Sequence, residues 1–147
     1  MSMTTEQLIK DRSLRLTILG SGYIGLPTAV LFAEAGFHVI ALDKRSEVAK
    51  AINNGVSLIN EPGLNNLISR NVQAGRLTAT LNSTETLTQA DTVIISVQTP
   101  IDKNRKPNLA FLTKALEGIM SRLNILRYVA VSSTVPPGTM LKKAKPM

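Results

Sequence analysis

The amino-acid sequence predicts an α/β domain built on a doubly wound parallel sheet, Rossmann-like, with the strand order 3-2-1-4-5. Three observations predict this class. Short apolar segments alternate with helix-forming segments along the 147 residues. A glycine-rich turn at residues 20–25 joins the first apolar segment to the first helical one. The segment 92–97 is apolar on both faces, as a central parallel strand is.

The first half of the chain carries start and stop signals for three strands and three helices. A polar tail, residues 1–13, precedes the first strand. Pro27 suits the first turn of the first helix, where a missing N–H costs least, and Gly36 is a natural stop. Ser46 is expected to cap the second helix, with Glu47 in its first turn. These signals place strands at 14–19, 37–42 and 77–80, and helices at about 23–35, 46–53 and 64–73.

The second half of the chain continues the alternation of helix and strand. Leu112, Leu116 and Ile119 recur at helical spacing and mark the buried face of one helix. The predicted elements are one or two helical turns at 83–89, a strand at 92–97, a polar loop at 102–108, a helix at 110–123 and a fifth strand at 128–132. The predicted domain therefore spans residues 14–147 and is truncated after its fifth strand, near the start of a further element.

The composition excludes several classes of function. The chain has no Cys and one His, His38, which excludes a disulfide scaffold, a Cys nucleophile and a metal site built from several Cys or His side chains, so we expect no metal. The net charge of +7 lies wholly after residue 100, and aromatic residues make up 3%. We therefore predict no nucleic-acid binding. No apolar run approaches the roughly 18 residues that span a membrane, and no secretory signal precedes the domain, so we expect a cytoplasmic protein that does not bind membranes.

A G-x-G-x-x-G pattern begins at Gly20 and lies between the first strand and the first helix. Gly20 permits the tight turn, Gly22 lets the backbone approach a pyrophosphate, and Gly25 lets helix and strand pack closely. Asp43 ends the second strand, where a carboxylate accepts hydrogen bonds from the adenosine ribose and favours NAD over NADP, although an Arg at position 45 could soften that preference. The alternative is that the glycines only permit a βα turn and Asp43 caps the next helix. It explains each residue singly but not their joint spacing.

Polar segments also follow the fourth and fifth strands, at 98–100 and 133–139. They lie at the edge where a doubly wound sheet binds its ligand. Ordinary turn chemistry accounts for these Pro, Gly, Ser and Thr residues equally well. Spacing alone leaves both interpretations open.

Five motifs occur in order along the chain, and together they resemble a known family. They are Gly-Ser-Gly-Tyr-Ile-Gly-Leu-Pro-Thr-Ala at 20–29, Asn-Gly at 54–55 with Glu-Pro-Gly-Leu at 61–64, Val-Gln-Thr-Pro at 97–100, Lys-Pro-Asn-Leu at 106–109, and Ser-Thr-Val-Pro-Pro-Gly at 133–138. The set resembles the UDP-glucose/GDP-mannose dehydrogenase family, the nucleotide-sugar 6-dehydrogenases, over about residues 14–140. The Tyr-Ile-Gly-Leu-Pro form is most similar to the branch that oxidises UDP-N-acetylmannosamine or related N-acetylated sugars. Val48 stands where the UDP-glucose branch often has Lys.

The resemblance implies oxidation of a UDP-sugar at C6, from alcohol to carboxylate, with reduction of two NAD. In the family a Cys forms the covalent intermediates, helped by Lys, Asn and Glu residues that all lie beyond the fifth strand. The linking helix and the sugar-binding domain are absent from this chain. We therefore expect an NAD-binding portion that is inactive alone, because the catalytic Cys is missing, and that meets its UDP-sugar substrate only with the missing domain. The alternative is a stand-alone NAD-binding module without catalysis.

The resemblance also assigns roles to matching positions of this chain. Those expected to bind the cofactor are Gly20, Gly22, Tyr23, Ile24 and Gly25 at the pyrophosphate, Asp43 at the adenosine ribose, and Thr99 and Thr134 on the nicotinamide side. Thr134 is also the candidate catalytic residue, since it matches the family Thr that helps to position the water or reacting group. Two positions depart from the pattern: Gln98 replaces Pro or Gly, and Asn108 replaces the usual Asp. The fifth strand should leave an unpaired edge at 129–131, which predicts weak self-association.

Overall fold

A computed structural model describes residues 3–144 and contains a five-stranded, all-parallel sheet in the order β3-β2-β1-β4-β5. Residues 1–2 and 145–147, at the two ends of the predicted tail and domain, lie outside the described residues. The strands are β1 (Arg15–Leu19), β2 (His38–Leu42), β3 (Leu77–Thr80), β4 (Thr92–Ile95) and β5 (Tyr128–Val131). The helices are α1 (Thr5–Lys10), α2 (Gly25–Glu34), α3 (Ser46–Asn53), α4 (Leu64–Gln73), α5 (Ser83–Gln89) and α6 (Ala110–Met120), followed by a π-helical turn, Met140–Ala144. The predicted fold class and strand order are confirmed.

Helix α1 lies within the segment predicted as a polar tail. It begins with a capping box, in which the Thr4 side chain accepts a hydrogen bond from the Gln7 N–H and the Gln7 side chain accepts one from the Thr4 N–H. Leu8 packs against the core, and the Arg127 side chain donates hydrogen bonds to the Met3 carbonyl and the Thr5 hydroxyl. The capping residues were present in the sequence, but α1 has no fully buried residue and so lacks the apolar pattern of a helix.

The predicted cap of α3 is wrong. Arg45, not Ser46, is the residue before the first helical turn, and no side chain caps the helix. The Arg45 N–H donates to the Asp43 carboxylate at 3.0 Å, and Ser46 is the first residue of the helix, not its cap. At α6 the residue before the helix is Leu109, which offers no side-chain cap, but the Asn108 side-chain oxygen accepts a hydrogen bond from the Ala110 N–H at 3.0 Å.

Two apolar clusters cover the two faces of the sheet. On one face α2, α3 and α4 pack against β1, β2 and β3 around Ile18, Ala29 and Ile68, which are fully buried. On the other face α6 packs against β4 and β5 around Val93 and Leu112. Helices on both faces explain why the central strands are apolar on both sides.

The two edge strands of the sheet differ. At β3 the Asn53 side chain donates a hydrogen bond to the Ala79 carbonyl at 2.8 Å and accepts one from the Ala79 N–H at 2.7 Å. The amide of Asn53 thus occupies backbone groups that another strand would use. At β5 the strand pairs with β4 alone among the described residues, and Tyr128 is exposed. One edge is therefore blocked, and the other presents free backbone groups.

Residues 3–144 lack two further features. No helix there has the length and apolar character needed to cross a bilayer. No group of three or more His, Asp or Glu side chains lies close enough together in this range to hold a metal ion.

Candidate functional site

The candidate site lies at the carboxyl ends of the parallel strands. Strand β1 pairs with β2 on one side and with β4 on the other, so the strand order reverses at β1. Doubly wound sheets bind ligands in the crevice outside such a switch point. The loops that follow β1, β2, β4 and β5 carry every residue predicted to bind the cofactor.

The three glycines of the β1–α2 loop stand in different surroundings. Gly20 has φ +94°, and a Cβ there would lie 2.5 Å from the backbone oxygen of Ser96. A Cβ on Gly25 would overlap the Gly20 carbonyl oxygen, whereas one on Gly22 would meet nothing within 4 Å. The predicted steric reasons for Gly20 and Gly25 are confirmed. The open space beside Gly22 is where the backbone can approach a ligand, and contact with a pyrophosphate stays a prediction.

Ser21 is a residue of this loop that the sequence analysis did not single out. It is 2% exposed, and its hydroxyl has no hydrogen-bond partner among the described residues. Helix α2 begins directly after the loop, at a residue that offers no side-chain cap. A buried hydroxyl without a partner and an uncapped helix N-terminus both favour an anion here. The loop therefore fits the pyrophosphate of a dinucleotide. The only signal in the sequence was the position of Ser21 between two glycines.

The Asp43 carboxylate is buried at the end of β2 and makes four hydrogen bonds. Its Oδ2 accepts from the Ser21 N–H at 2.9 Å and from the Arg45 Nη2 at 3.0 Å, and its Oδ1 accepts from the N–H and the Nε of Arg45, both at 3.0 Å. Burial raises the pKa of Asp43, but the hydrogen bonds from Arg45 and the two backbone N–H groups outweigh it, so the pKa lies below its usual value. The predicted ribose acceptor is therefore ionised and joined directly to the glycine loop.

A second contact connects the end of β2 with the other side of the crevice. The Lys44 ammonium lies 4.4 Å from the centre of the Phe111 ring, which is in the first turn of α6. Since α6 follows β4, this contact bridges the two sides of the switch point. Phe111 could not be found from the sequence, because it lies 67 positions along the chain from its partner.

The predicted residues Thr99 and Thr134 are brought together. The Thr99 hydroxyl donates a hydrogen bond to the Thr134 carbonyl at 2.7 Å, and the Ser133 hydroxyl donates one to the Val97 carbonyl at 2.8 Å. These two bonds tie the loop after β4 to the loop after β5. The polar residues at these strand ends thus build one structure. The Thr134 side chain is exposed, and its catalytic role stays a prediction.

Apolar side chains are exposed at the same edge of the sheet. Tyr23 is 76% exposed, Ile24 is 60% exposed and Ile101, in the loop after β4, is 71% exposed. Tyr23 and Ile24 were predicted to contact the cofactor. Their exposure leaves them free to cover a ligand that lies on the glycine loop.

A separate cavity of about 470 Å³ lies toward the opposite edge of the sheet and is lined by none of the predicted site residues. Its three arginines are held by other contacts. Arg15 forms a two-bond ion pair with Asp91, the Arg12 guanidinium lies 4.9 Å from the centre of the Phe37 ring, and Arg76 donates a hydrogen bond to the Asn71 side chain. The glycine loop, the Ser21 hydroxyl without a partner among the described residues and Asp43 all lie instead at the carboxyl edge. The candidate functional site is therefore the carboxyl-edge crevice.

Known proteins similar to this chain identify its family. Residues 14–147 match the model of the UDP-glucose/GDP-mannose dehydrogenase family, NAD binding domain. The chain is 39% identical over 132 residues to UDP-N-acetyl-D-mannosamine dehydrogenase of Pyrococcus horikoshii, covering 90% of this chain and 31% of that protein. It is 34% identical over 125 residues to a UDP-glucose 6-dehydrogenase of Bacillus subtilis, covering 85% of this chain and 27% of that protein.

The fold also matches a solved structure. The crystal structure of GDP-mannose dehydrogenase from Pseudomonas aeruginosa superposes with a TM-score of 0.86 at 34% identity, covering 90% of this chain and 31% of that one. The chain thus spans less than a third of the length of each of these three relatives.

Proposed function

Because the chain belongs to the UDP-glucose/GDP-mannose dehydrogenase family, through the NAD-binding domain that matches residues 14–147, we propose that its carboxyl-edge crevice holds NAD for the oxidation of a nucleotide sugar. NAD is the cofactor of this domain. The observation that carries the proposal is the hydrogen bond between the Ser21 N–H and Asp43, at 2.9 Å. It joins the loop that suits a pyrophosphate to the carboxylate that suits a ribose.

Different residues of the crevice would bind different parts of the dinucleotide. The backbone beside Gly22 and the Ser21 hydroxyl would hold the pyrophosphate, with the positive end of α2 facing it. Asp43 would accept hydrogen bonds from the adenosine ribose. The family resemblance would place Thr99 and Thr134 on the nicotinamide side, and the hydrogen bond between them joins the loops after β4 and β5. When bound, NAD supplies the hydride acceptor for the oxidation.

The substrate class we propose is a UDP-sugar of the N-acetylmannosamine type. Its support is the 39% identity to a UDP-N-acetyl-D-mannosamine dehydrogenase, against 34% and 36% to two UDP-glucose 6-dehydrogenases. Val48 adds to it, because this buried apolar residue stands where the UDP-glucose branch often has Lys. The sugar itself would be bound by parts of the longer proteins that this chain does not match.

We expect the 147-residue chain alone to bind NAD and not to oxidise a sugar. The reaction that the resemblance implies needs a thiolate nucleophile, and this chain contains no Cys. A stand-alone NAD-binding module is the second candidate, and it shares this expectation. The two are separated by adding a Cys-bearing catalytic partner domain from a relative. Restored oxidation supports the first candidate, and continued inactivity of the mixture favours the second.

Calorimetric titration with NAD tests the proposal directly. We expect saturable binding by the purified chain and its loss in Asp43→Ala. Asp91→Ala is the matched control, because Asp91 also forms a two-bond pair with an arginine, Arg15, but away from the crevice. A folded chain that fails to bind at millimolar NAD would contradict the proposal.

We further propose weak self-association through the free edge of β5. Its support is the unpaired edge of that strand within the described residues, flanked by the exposed Tyr128. Light scattering across a concentration series tests this, and a monodisperse monomer at the highest concentration would contradict it.

A further inference from the structure

The Arg45 side chain is hydrogen-bonded to the Asp43 carboxylate, the group proposed to accept hydrogen bonds from the ribose of NAD. A carboxylate offers about four lone-pair positions, and the Asp43 carboxylate already accepts four hydrogen bonds. Two of them come from the Arg45 guanidinium. The hydroxyls of a ribose can therefore reach Asp43 only after the guanidinium has moved away.

The Arg45 side chain is free to make that movement. It is 45% exposed, whereas the side chain of Asp43 is 5% exposed, so the arginine can turn into solvent while the acid stays fixed. The Arg45 N–H holds the backbone against Asp43 at 3.0 Å, independently of the side chain. A released guanidinium would therefore stay within reach of any group attached to the ribose.

The chemistry of that position suits a phosphate on the ribose. A guanidinium binds phosphate through two parallel hydrogen bonds, as it now binds Asp43. Lys44 adds a second positive charge in the same turn. After the arginine has turned, Asp43 keeps two backbone N–H donors, and the positive charge of the guanidinium offsets part of the repulsion between the carboxylate and a 2′-phosphate.

We propose that Arg45 is the residue that sets cofactor specificity, exchanging Asp43 for the 2′-phosphate of NADP, so that this domain binds NADP as well as NAD. This inference rests on the proposed function of the crevice. With NAD the guanidinium is a competitor that must be displaced. With NADP it becomes a ligand of the cofactor.

The test is calorimetric titration of the chain and its Arg45→Ala variant with each dinucleotide. We expect the variant to bind NAD about three- to tenfold more tightly, and NADP at least about tenfold more weakly. Arg45→Lys should give intermediate affinities for NAD and for NADP, because lysine keeps the positive charge but cannot form two parallel hydrogen bonds. Arg70→Ala is the matched control, since Arg70 is also half-exposed and pairs with a carboxylate, that of Glu34, outside the crevice. It should leave both affinities unchanged.

Opposite changes in the affinities for NAD and NADP would identify Arg45 as a specificity residue, because a merely structural role would change both affinities in the same direction. Parallel shifts in Arg45→Ala and Arg45→Lys, or NADP binding more than about a hundredfold weaker than NAD in the original chain, would overturn the inference while leaving NAD binding intact. If neither dinucleotide binds to any folded variant, the proposed function fails, and this inference with it.

Discussion

Alanine substitutions at Gly22 and Gly25 add the same methyl group to the same loop, and we expect opposite consequences. The new Cβ at position 25 would overlap the Gly20 carbonyl oxygen, a backbone atom that cannot turn aside. At position 22 it would meet nothing within 4 Å. We therefore expect Gly25→Ala to destabilise the fold. Gly22→Ala should leave the fold intact and block the space where the pyrophosphate is expected.

The magnitudes follow from these contacts. At Gly25, alanine gains up to about 1 kcal/mol in helix propensity. Overpacking against backbone costs about 1–3 kcal/mol, and the complete overlap places this site at the upper end. The net loss is about 2 kcal/mol. At Gly22, whose φ is not positive, alanine gains about 0.4–1 kcal/mol by restricting the unfolded chain. The two variants should therefore differ by at least about 2 kcal/mol, or about 4–8 °C in Tm for a chain of this size.

Thermal unfolding followed by circular dichroism, with NAD titration of each folded variant, measures both effects. The expected pattern is a stable Gly22→Ala that binds NAD at least about tenfold more weakly, and a Gly25→Ala with a lowered Tm. Equal Tm values for the two variants would refute the steric argument. Undiminished NAD binding by Gly22→Ala would refute the assignment of the open space to the cofactor.

Three further outcomes are expected. The pKa of Asp43 is depressed in the folded state, so its contribution to stability is complete above its unfolded pKa of about 3.9 and is lost as the pH falls through the lower folded value. In urea unfolding at test conditions between pH 5 and pH 2, the unfolding free energy of Asp43→Asn should therefore fall less steeply with acid than that of the original chain. Asn71→Ala should cost about 2–3 kcal/mol in urea unfolding, because Asn71 is fully buried and donates to the Glu34 carboxylate and the Leu67 carbonyl. Asn53→Ala should cost about 1–2 kcal/mol and increase light scattering, because it frees the backbone groups of Ala79 at the sheet edge.

Matched controls separate these effects from the substitution itself. Asn66→Ala, at an exposed position of the same helix as Asn71, should change the unfolding free energy little. Asn54→Ala, the exposed neighbour of Asn53, should not increase scattering. An equal loss in each control and its partner would contradict the hydrogen-bond arguments. For Asp43, a parallel acid loss in Asp43→Asn and the original chain would show that other groups carry the whole effect.

The sequence predicted what depends on local pattern. The alternation of apolar strands and helices, with the glycine loop before α2, was sufficient for the fold class and the strand order. Features that depend on distant or competing partners were not predictable. Ser46 looked like a helix cap, but it is the first helical residue, and the preceding Arg45 N–H donates a hydrogen bond to Asp43. The contact between Lys44 and Phe111 joins two elements whose approach is decided only by the packed sheet.

The occupancy of Asp43 by Arg45 was missed for a different reason. Both residues were recognised, one as a ribose acceptor and the other as a group that softens the preference for NAD. Their spacing of two positions is compatible with side chains that point apart or meet. Burial of the carboxylate decides between these arrangements, because a buried anion is stable only when its acceptor positions are filled.

The amide of Asn53 would limit how far copies of this domain assemble through the proposed pairing of β5. Two sheets that join through β5 across a two-fold axis form one continuous sheet whose outer strands are both β3. Each outer strand then ends in an edge already occupied by Asn53, so a third copy finds no free strand to extend. A fibre requires two open edges in every unit, and this domain has one among its described strands. Asn53, the last residue of α3, would thereby allow two copies to pair and prevent longer polymers.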